Sequence, residues 1–310
     1  MNFESDSIGA ETEYDDHESK QAGDESESAA EFVNAPSEPS SDISRDDSEP
    51  PETVPEPKPR LPRAGTAFLA FATFILTQLV AGIFVVIGAW IYAVAALGLK
   101  PDEAGFMDFI MQTTLYSAVP ISILAGYAVL MVTRWLARDV ITDGEITGVG
   151  WVESSPLRCL LGAALGVAIC CSTTFLMITL FPNLEPEPGG PFEDMLNQGG
   201  VMLLLLIILA LVLAPLVEEF LFRGVMLAGF TRSFGFPLAV FFCTSLFVLL
   251  HFDAILRYTP AVIPLTGISL ALVFLRVKFK SLWPAIAAHF GYNGMALLVP
   301  TILELISSAE

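Results

Sequence analysis

Two adjacent glutamates follow a long apolar run, where a membrane-spanning helix would ordinarily carry no charge. Glu218 and Glu219 come directly after Val201–Val217, and Arg223 lies four residues beyond Glu219. Because a carboxylate in the bilayer core costs about 2.5–3.5 kcal/mol, two of them need a reason. In a helix Glu219 and Arg223 share a face and can pair, whereas Glu218 points about 100° away. The spacing predicts one paired and one free carboxylate; alternatively, both lie at the cytoplasmic interface, where charges are tolerated.

Two histidines and an asparagine lie in the same apolar half of the chain. His251 ends the run Phe-Val-Leu-Leu-His, and His289 precedes Asn293 by four residues, which puts those two on one helical face. A single histidine in an apolar helix is more often a hydrogen-bonded packing residue. Two of them, together with two glutamates and an asparagine, indicate a site instead.

These residue types suit the attack of water on a carbonyl group. A glutamate shielded from bulk water can act as a general base. Histidine can orient the water, pass on its proton or bind a metal, and an asparagine amide can stabilise a developing oxyanion. The set predicts amide hydrolysis. No serine or cysteine nucleophile stands out, although Ser245 stays open as an alternative.

The depth of two of these residues can be compared if the segments that carry them form a helical hairpin turning near Phe234–Gly235. Glu218 lies 16 residues before Phe234, and His251 lies 16 residues after Gly235. Each would then stand about 24 Å from the turn at ~1.5 Å per residue. An antiparallel hairpin therefore predicts that Glu218 and His251 lie at the same level.

The composition requires a membrane setting for these residues. Of the 310 residues, 54% are hydrophobic, against roughly 45–50% in soluble domains. The net charge of −19 is mostly that of residues 1–63, which hold 18 acidic and five basic residues. This Glu-, Asp-, Ser- and Pro-rich segment predicts a disordered acidic tail without a cleavable signal peptide, either a docking segment or a solvated leader. The four cysteines lack CxxC spacing and are expected to be buried thiols.

The predicted fold is an all-α multi-pass membrane protein with about seven transmembrane helices, between six and eight. A span needs about 20 apolar residues, and the candidate segments are Ala67–Leu97, Leu115–Val132, Leu160–Phe181, Val201–Leu221, Pro237–Leu250, Ala261–Leu275 and Leu282–Ile306. The expected partners are the lipid bilayer and a peptide or protein substrate, with no nucleic acid.

Lysine and arginine are concentrated in every second connection, and such connections face the cytoplasm. The residues counted are Lys58, Arg60, Arg63, Arg134, Arg138, Arg158, Arg223, Arg232, Arg276, Lys278 and Lys280; the segment 182–200 has none, and Lys100 and Arg257 are exceptions. The pattern predicts a protein of the cell membrane with a cytoplasmic N-terminus.

Three motifs in this region resemble the CPBP family of intramembrane proteases, also called the type II CAAX prenyl protease or Abi family. Residues 218–223 fit EExxxR, residues 247–251 fit FxxxH, and residues 289–293 fit HxxxN. The resemblance covers about a third of the chain, with the motifs in 201–298. Composition, spans and motifs together predict three regions: a disordered acidic cytoplasmic tail at 1–63, N-terminal transmembrane helices at 64–155, and a CPBP-like catalytic membrane core at 156–310. The tail and the first three spans carry no motif of the family.

The resemblance also implies a helical fold with a conical cavity open to the cytosol, and a role for each residue. Glu218 would activate water and His251 would position it. His289 and Asn293 would stabilise the oxyanion, and Glu219 with Arg223 would hold the site together. Zinc stays open as a cofactor, with Glu218, His251 and His289 as the ligands it would use; metal-independent activation is slightly favoured.

The resemblance predicts a protease that cuts a membrane-associated or lipidated protein or peptide, as in CAAX-type processing of prenylated chains or in bacteriocin self-immunity. A non-catalytic membrane scaffold or immunity factor is the first alternative. A proton-coupled transporter is the second, since intramembrane Glu and His also mark proton relays. Against the transporter, the sequence shows no internal repeat or paired broken helices.

Overall fold

The computed structural model describes residues 61–184 and 187–307, whose regular secondary structure is all helical, with no strand among them. The helices are α1 Ala64–Ala95, α2 Ala104–Ala137, α3 Pro156–Leu180, α4 Pro191–Gln198, α5 Gly200–Phe234, α6 Phe236–Leu250, α7 Phe252–Arg257, α8 Val262–Phe279 and α9 Trp283–Ser307. The predicted all-α fold is confirmed. The predicted disordered tail lies outside the described residues, apart from residues 61–63.

Five segments in the described part are long and apolar enough to cross a membrane. They are Ala64–Ala95, Gly105–Val140, Pro156–Leu180, Gly200–Phe234 and Thr259–Phe279, and α6 is a shorter apolar helix. Large apolar side chains on their outer faces are exposed, among them Phe84, Trp90 and Phe175, as expected for surfaces that face lipid. The 25-residue α9 follows these segments. The chain is a multi-pass membrane protein, and about seven helices is consistent with this arrangement.

The helix ends differ from the prediction at two places that bear on the site. α2 begins at Ala104 and ends at Ala137, well beyond the predicted Leu115–Val132. α5 continues to Phe234 instead of ending at Leu221, because Arg223 is paired inside the protein and does not mark the start of a loop. The predicted hairpin turn is confirmed: Gly235, with φ +83°, separates α5 from α6, and this backbone conformation favours glycine.

The helix α5 is not a regular α-helix along its whole length. Two of its segments, Ile208–Leu213 and Phe220–Met226, are π-helical. Between them lies a short α-helical segment, Ala214–Glu219, which carries both glutamates. In each π-helical segment the backbone hydrogen bonds span five residues instead of four. Such wide turns are frequent at functional sites, and here they enclose the two carboxylates.

Two of the basic residues counted for the orientation are buried rather than placed in loops. Arg223 and Arg276 are each only 1% exposed. The guanidinium of Arg276 donates to the backbone oxygens of Gly144, Glu145 and Gly148 and so holds the loop after α2. The orientation prediction therefore depends on the remaining basic residues.

Candidate functional site

The predicted ion pair between Glu219 and Arg223 is present and fully enclosed. Arg223 Nη1 lies 3.0 Å from Glu219 Oε1, and neither side chain is exposed. The pair joins positions four apart on α5, where the first π-helical residues begin. Because both charges are withdrawn from water, the lost hydration of each must be replaced by the partner charge and by further hydrogen bonds.

The other terminal nitrogen of the Arg223 guanidinium, Nη2, bonds to a neighbouring helix. This nitrogen donates to the hydroxyl of Ser269 at 2.9 Å and to the backbone oxygen of Ser269 at 3.2 Å. Ser269 in turn donates to Thr244 on α6 at 3.3 Å. The buried pair thus ties α5 to α8 and α6. Ser269 and Thr244 could not be predicted from the sequence, since single hydroxyl residues in apolar helices give no periodic signal.

His289 on α9 bonds to the same carboxylate oxygen as Arg223. Its Nδ1 lies 2.9 Å from Glu219 Oε1. A carboxylate held by an arginine only accepts hydrogen bonds, so Nδ1 carries the proton. In the neutral ring Nε2 is then the acceptor, and Nε2 lies 4.0 Å from Glu218 Oε2. We call Glu218, Glu219, Arg223 and His289 the polar cluster.

Glu218 is the unpaired carboxylate that the spacing predicted. Its side chain is 12% exposed, and Oε2 is buried without a hydrogen-bond partner among the described residues. It faces a cavity of about 290 Å³ that His251 also lines; we call this the site cavity. Glu218 and His251 therefore share one cavity, which agrees with the equal level that the hairpin geometry predicted.

His251 lies at the end of α6 and is oriented by its own helix. Its Nδ1 lies 2.9 Å from the backbone oxygen of Phe247, and a carbonyl only accepts, so Nε2 is again the free ring nitrogen. The Phe247 ring contacts both histidines, at centroid distances of 4.8 Å from His251 and 5.9 Å from His289. The Arg223 guanidinium lies 4.4 Å from the centroid of the same ring. Phe247 is thus a packing centre that the motif spacing alone did not assign.

Asn293 contacts the polar backbone of α5 rather than the polar cluster. Its Nδ2 donates to the backbone oxygen of Ala210 at 2.8 Å. Ala210 lies in the first π-helical segment, where the wide turn displaces carbonyl groups from the regular pattern. One amide hydrogen of Asn293 is therefore engaged, and the second is the one that a ligand could use.

Close packing between α3 and α9 fixes the position of His289. A methyl group built on Gly166 would overlap the backbone oxygen of Ala288, and one on Gly162 would overlap that of Pro284. From the other side, a methyl group on Gly291 would overlap the backbone oxygen of Ala163. Small residues permit such close crossing of membrane helices. The backbone on both sides of His289 is therefore set by α3.

The residues that zinc would use do not form a three-ligand set. The described residues contain no group of three or more His, Cys, Asp and Glu side chains placed to hold a metal ion. Nδ1 of His289 bonds Glu219 and Nδ1 of His251 bonds a backbone oxygen. Ser245, the alternative nucleophile, is exposed and lines a different cavity, with Phe241, Leu249 and Leu270.

Enclosed carboxylates and histidines at the helix contacts of a membrane protein mark a functional site. Residues 200–295 match the family described as type II CAAX prenyl endopeptidase Rce1-like. The predicted resemblance is confirmed, and this segment contains all six predicted site residues. The match supports an intramembrane protease function for the chain. No curated protein and no solved structure matches the sequence.

Proposed function

We propose that this protein is an endopeptidase of the cell membrane that hydrolyses one peptide bond of a membrane-associated or lipidated protein or peptide. The observation that carries the proposal is the unpaired Glu218, which faces the site cavity beside His251 and lies 4.0 Å from His289. A prenylated chain or a small bacteriocin-like peptide fits the substrate class that the resemblance implies.

In the proposed reaction Glu218 removes a proton from water as the water oxygen attacks the scissile carbonyl carbon. The free Nε2 of His251 accepts the second hydrogen of that water and so orients it. The C=O electrons move to oxygen and give a tetrahedral oxyanion. When the oxyanion collapses, the C–N bond breaks and protonated Glu218 returns its proton to the leaving amine.

The oxyanion needs donors, and the second amide hydrogen of Asn293 is one candidate. His289 donates from Nε2 only when its ring carries both protons, since Nδ1–H is already committed to Glu219. Glu219 and Arg223 have a positioning role in this proposal.

The test is peptide cleavage by the purified protein in detergent. We expect the wild type to cleave members of a peptide library, and Glu218→Gln and His289→Ala to lose about 10²–10⁴-fold in rate. In this metal-independent proposal, a chelator should leave the wild-type rate unchanged. Undiminished cleavage by Glu218→Gln would exclude the proposed base, and a wild type that cleaves nothing would favour the scaffold alternative.

A further inference from the structure

The site cavity is not lined only by residues 200–295, the segment that matches the family. Two polar side chains on its wall, Gln78 of α1 and Ser122 of α2, come from outside residues 200–295. Both are partly buried. Neither forms a hydrogen bond within the described part of the chain. An amide or hydroxyl removed from water carries a free-energy cost unless it finds a partner.

Gln78 is brought to the level of Glu218 by the packing of α1 against α5. The backbone N–H of Ala64 donates to the Ser233 hydroxyl at 2.9 Å, and the Phe68 and Phe230 rings lie 5.0 Å apart. The two helices therefore run antiparallel. Gln78 lies 14 residues after Ala64 and Glu218 lies 15 residues before Ser233, so their levels agree to about 1.5 Å.

Gln78 also lies on the inward face of α1. Ala67, Phe71, Phe74 and Gln78 recur at the three- and four-residue spacing of one helical face. Ala67 and Phe74 are buried, and the Phe71 ring packs against Phe222. Gln78 thus continues a stripe that faces protein, which separates it from the lipid-facing residues of the same helix.

Ser122 is placed by the close contact of α2 with α5. A methyl group built on Gly126 would lie 2.7 Å from Val217 Cγ2, and Ser122 is one helical turn from Gly126, on the same face. Other hydroxyl residues of α2 behave differently. Four of them donate to backbone oxygens three or four residues earlier, namely Thr113, Thr114, Ser117 and Thr133. The hydroxyl of Ser122 forms no such bond, and Ser122 lines the site cavity.

We infer that Gln78 and Ser122 bind the backbone of the substrate peptide opposite Glu218 and His251; this rests on the proposed function. A carboxamide offers both an acceptor and donors, the complement of the N–H and C=O of a peptide unit. No charged side chain of α1 or α2 lines the site cavity, which suits a neutral ligand. Main-chain hydrogen bonds of this kind give affinity without demanding a particular substrate side chain.

The test measures binding separately from cleavage. The probe is the library peptide that the wild type cleaves fastest, labelled with a fluorophore and carrying a reduced amide at the scissile bond. Its Kd is measured by fluorescence anisotropy in detergent for the wild type, Gln78→Leu and Ser122→Ala. We expect each variant to bind about tenfold more weakly, with an unchanged melting temperature.

Matched controls lie on the same two helices. Thr77→Val replaces the neighbour of Gln78, which does not line the site cavity, and Ser117→Ala removes a hydroxyl already bonded to Thr114. Both controls should bind the probe as the wild type does. Equal binding by Gln78→Leu, or equal losses in the controls, would overturn the inference.

A scan with N-methylated peptides identifies the bonded group. Methylating the backbone nitrogen that Gln78 contacts should weaken binding to the wild type about tenfold and leave binding to Gln78→Leu nearly unchanged. If every methylation weakens peptide binding equally in the wild type and in Gln78→Leu, Gln78 does not bind the peptide backbone. A slower turnover in Gln78→Leu with an unchanged Kd would also overturn the inference. If the wild type cleaves no peptide, both the proposed function and this inference fail. If the wild type cleaves peptides but the effect of methylation does not depend on Gln78, this inference alone fails.

Discussion

At the scale of single residues, the two adjacent glutamates have different environments although the same helical turn carries them. Glu219 has an arginine and a histidine on one oxygen, while Glu218 Oε2 has no hydrogen-bond partner among the described residues. The four-residue spacing to Arg223 was enough to predict which carboxylate is paired. The sequence did not predict the bond from His289 to Glu219, because it joins residues 70 positions apart.

Replacing Glu219 by Gln should destabilise the protein more than replacing Glu218 does. The change leaves Arg223 charged and buried, and breaking an enclosed pair costs about 3–5 kcal/mol. Thermal unfolding in detergent measures the difference between Glu219→Gln and Glu218→Gln. The double variant Glu219→Leu with Arg223→Met should recover much of the stability without recovering cleavage. Equal stability of the two single variants would contradict the positioning role of Glu219.

Phe247→Leu should slow turnover with little effect on folding. Leucine keeps most of the buried apolar volume but removes the ring that contacts both histidines and the Arg223 guanidinium. We expect kcat to fall about 10–100-fold, because a displacement near 1 Å has effects of that size. Phe241→Leu on the same helix is the control, since Phe241 is 61% exposed; similar kinetics of the two variants would exclude this role.

At the scale of helices, the crossing of α3 and α9 shows what a sequence signal can leave out. Gly162 and Gly166 are four residues apart, a spacing typical of close helix contacts in membranes. The spacing alone does not name the partner helix. The structure shows that the partner is α9, at the turn that carries His289. The π-helical segments of α5 could not be predicted either, since no residue type in them distinguishes a π-helix from a regular α-helix.

Gly166→Ala should therefore damage the site from outside it. The added methyl group overlaps the Ala288 carbonyl, so the α9 backbone beside His289 must move. We expect cleavage to fall by about 10²-fold and the melting temperature to drop by several degrees. Gly267→Ala is the matched control, because a methyl group there meets nothing within 4 Å. If both variants keep wild-type cleavage, α3 does not position His289.

At the scale of the whole molecule, hydropathy was sufficient to predict the membrane fold but not the ends of its helices. Apolar runs mark where a chain can cross the bilayer, and five such segments are present in the described residues. Charged residues were the less reliable guide. Arg223 and Arg276 are buried by hydrogen bonds to distant parts of the chain, contacts that local composition does not contain. For the same reason Gln78 and Ser122 could not be predicted from the sequence, because they line the site cavity only through the packing of α1 and α2 against α5.

The predicted orientation of the whole protein rests on the basic residues that remain exposed, and it can be tested with two cysteines at opposite ends of α8. Lys278 lies at one end, and Glu187 lies near the other, where its backbone N–H bonds to Arg257. An 18-residue helix separates these ends by about 27 Å. In a variant with the four native cysteines replaced by alanine, an impermeant maleimide should label Glu187→Cys on intact cells. Lys278→Cys should react only after lysis, because loops rich in Lys and Arg stay in the cytoplasm. The opposite labelling pattern would reverse the orientation and place the N-terminus outside the cell.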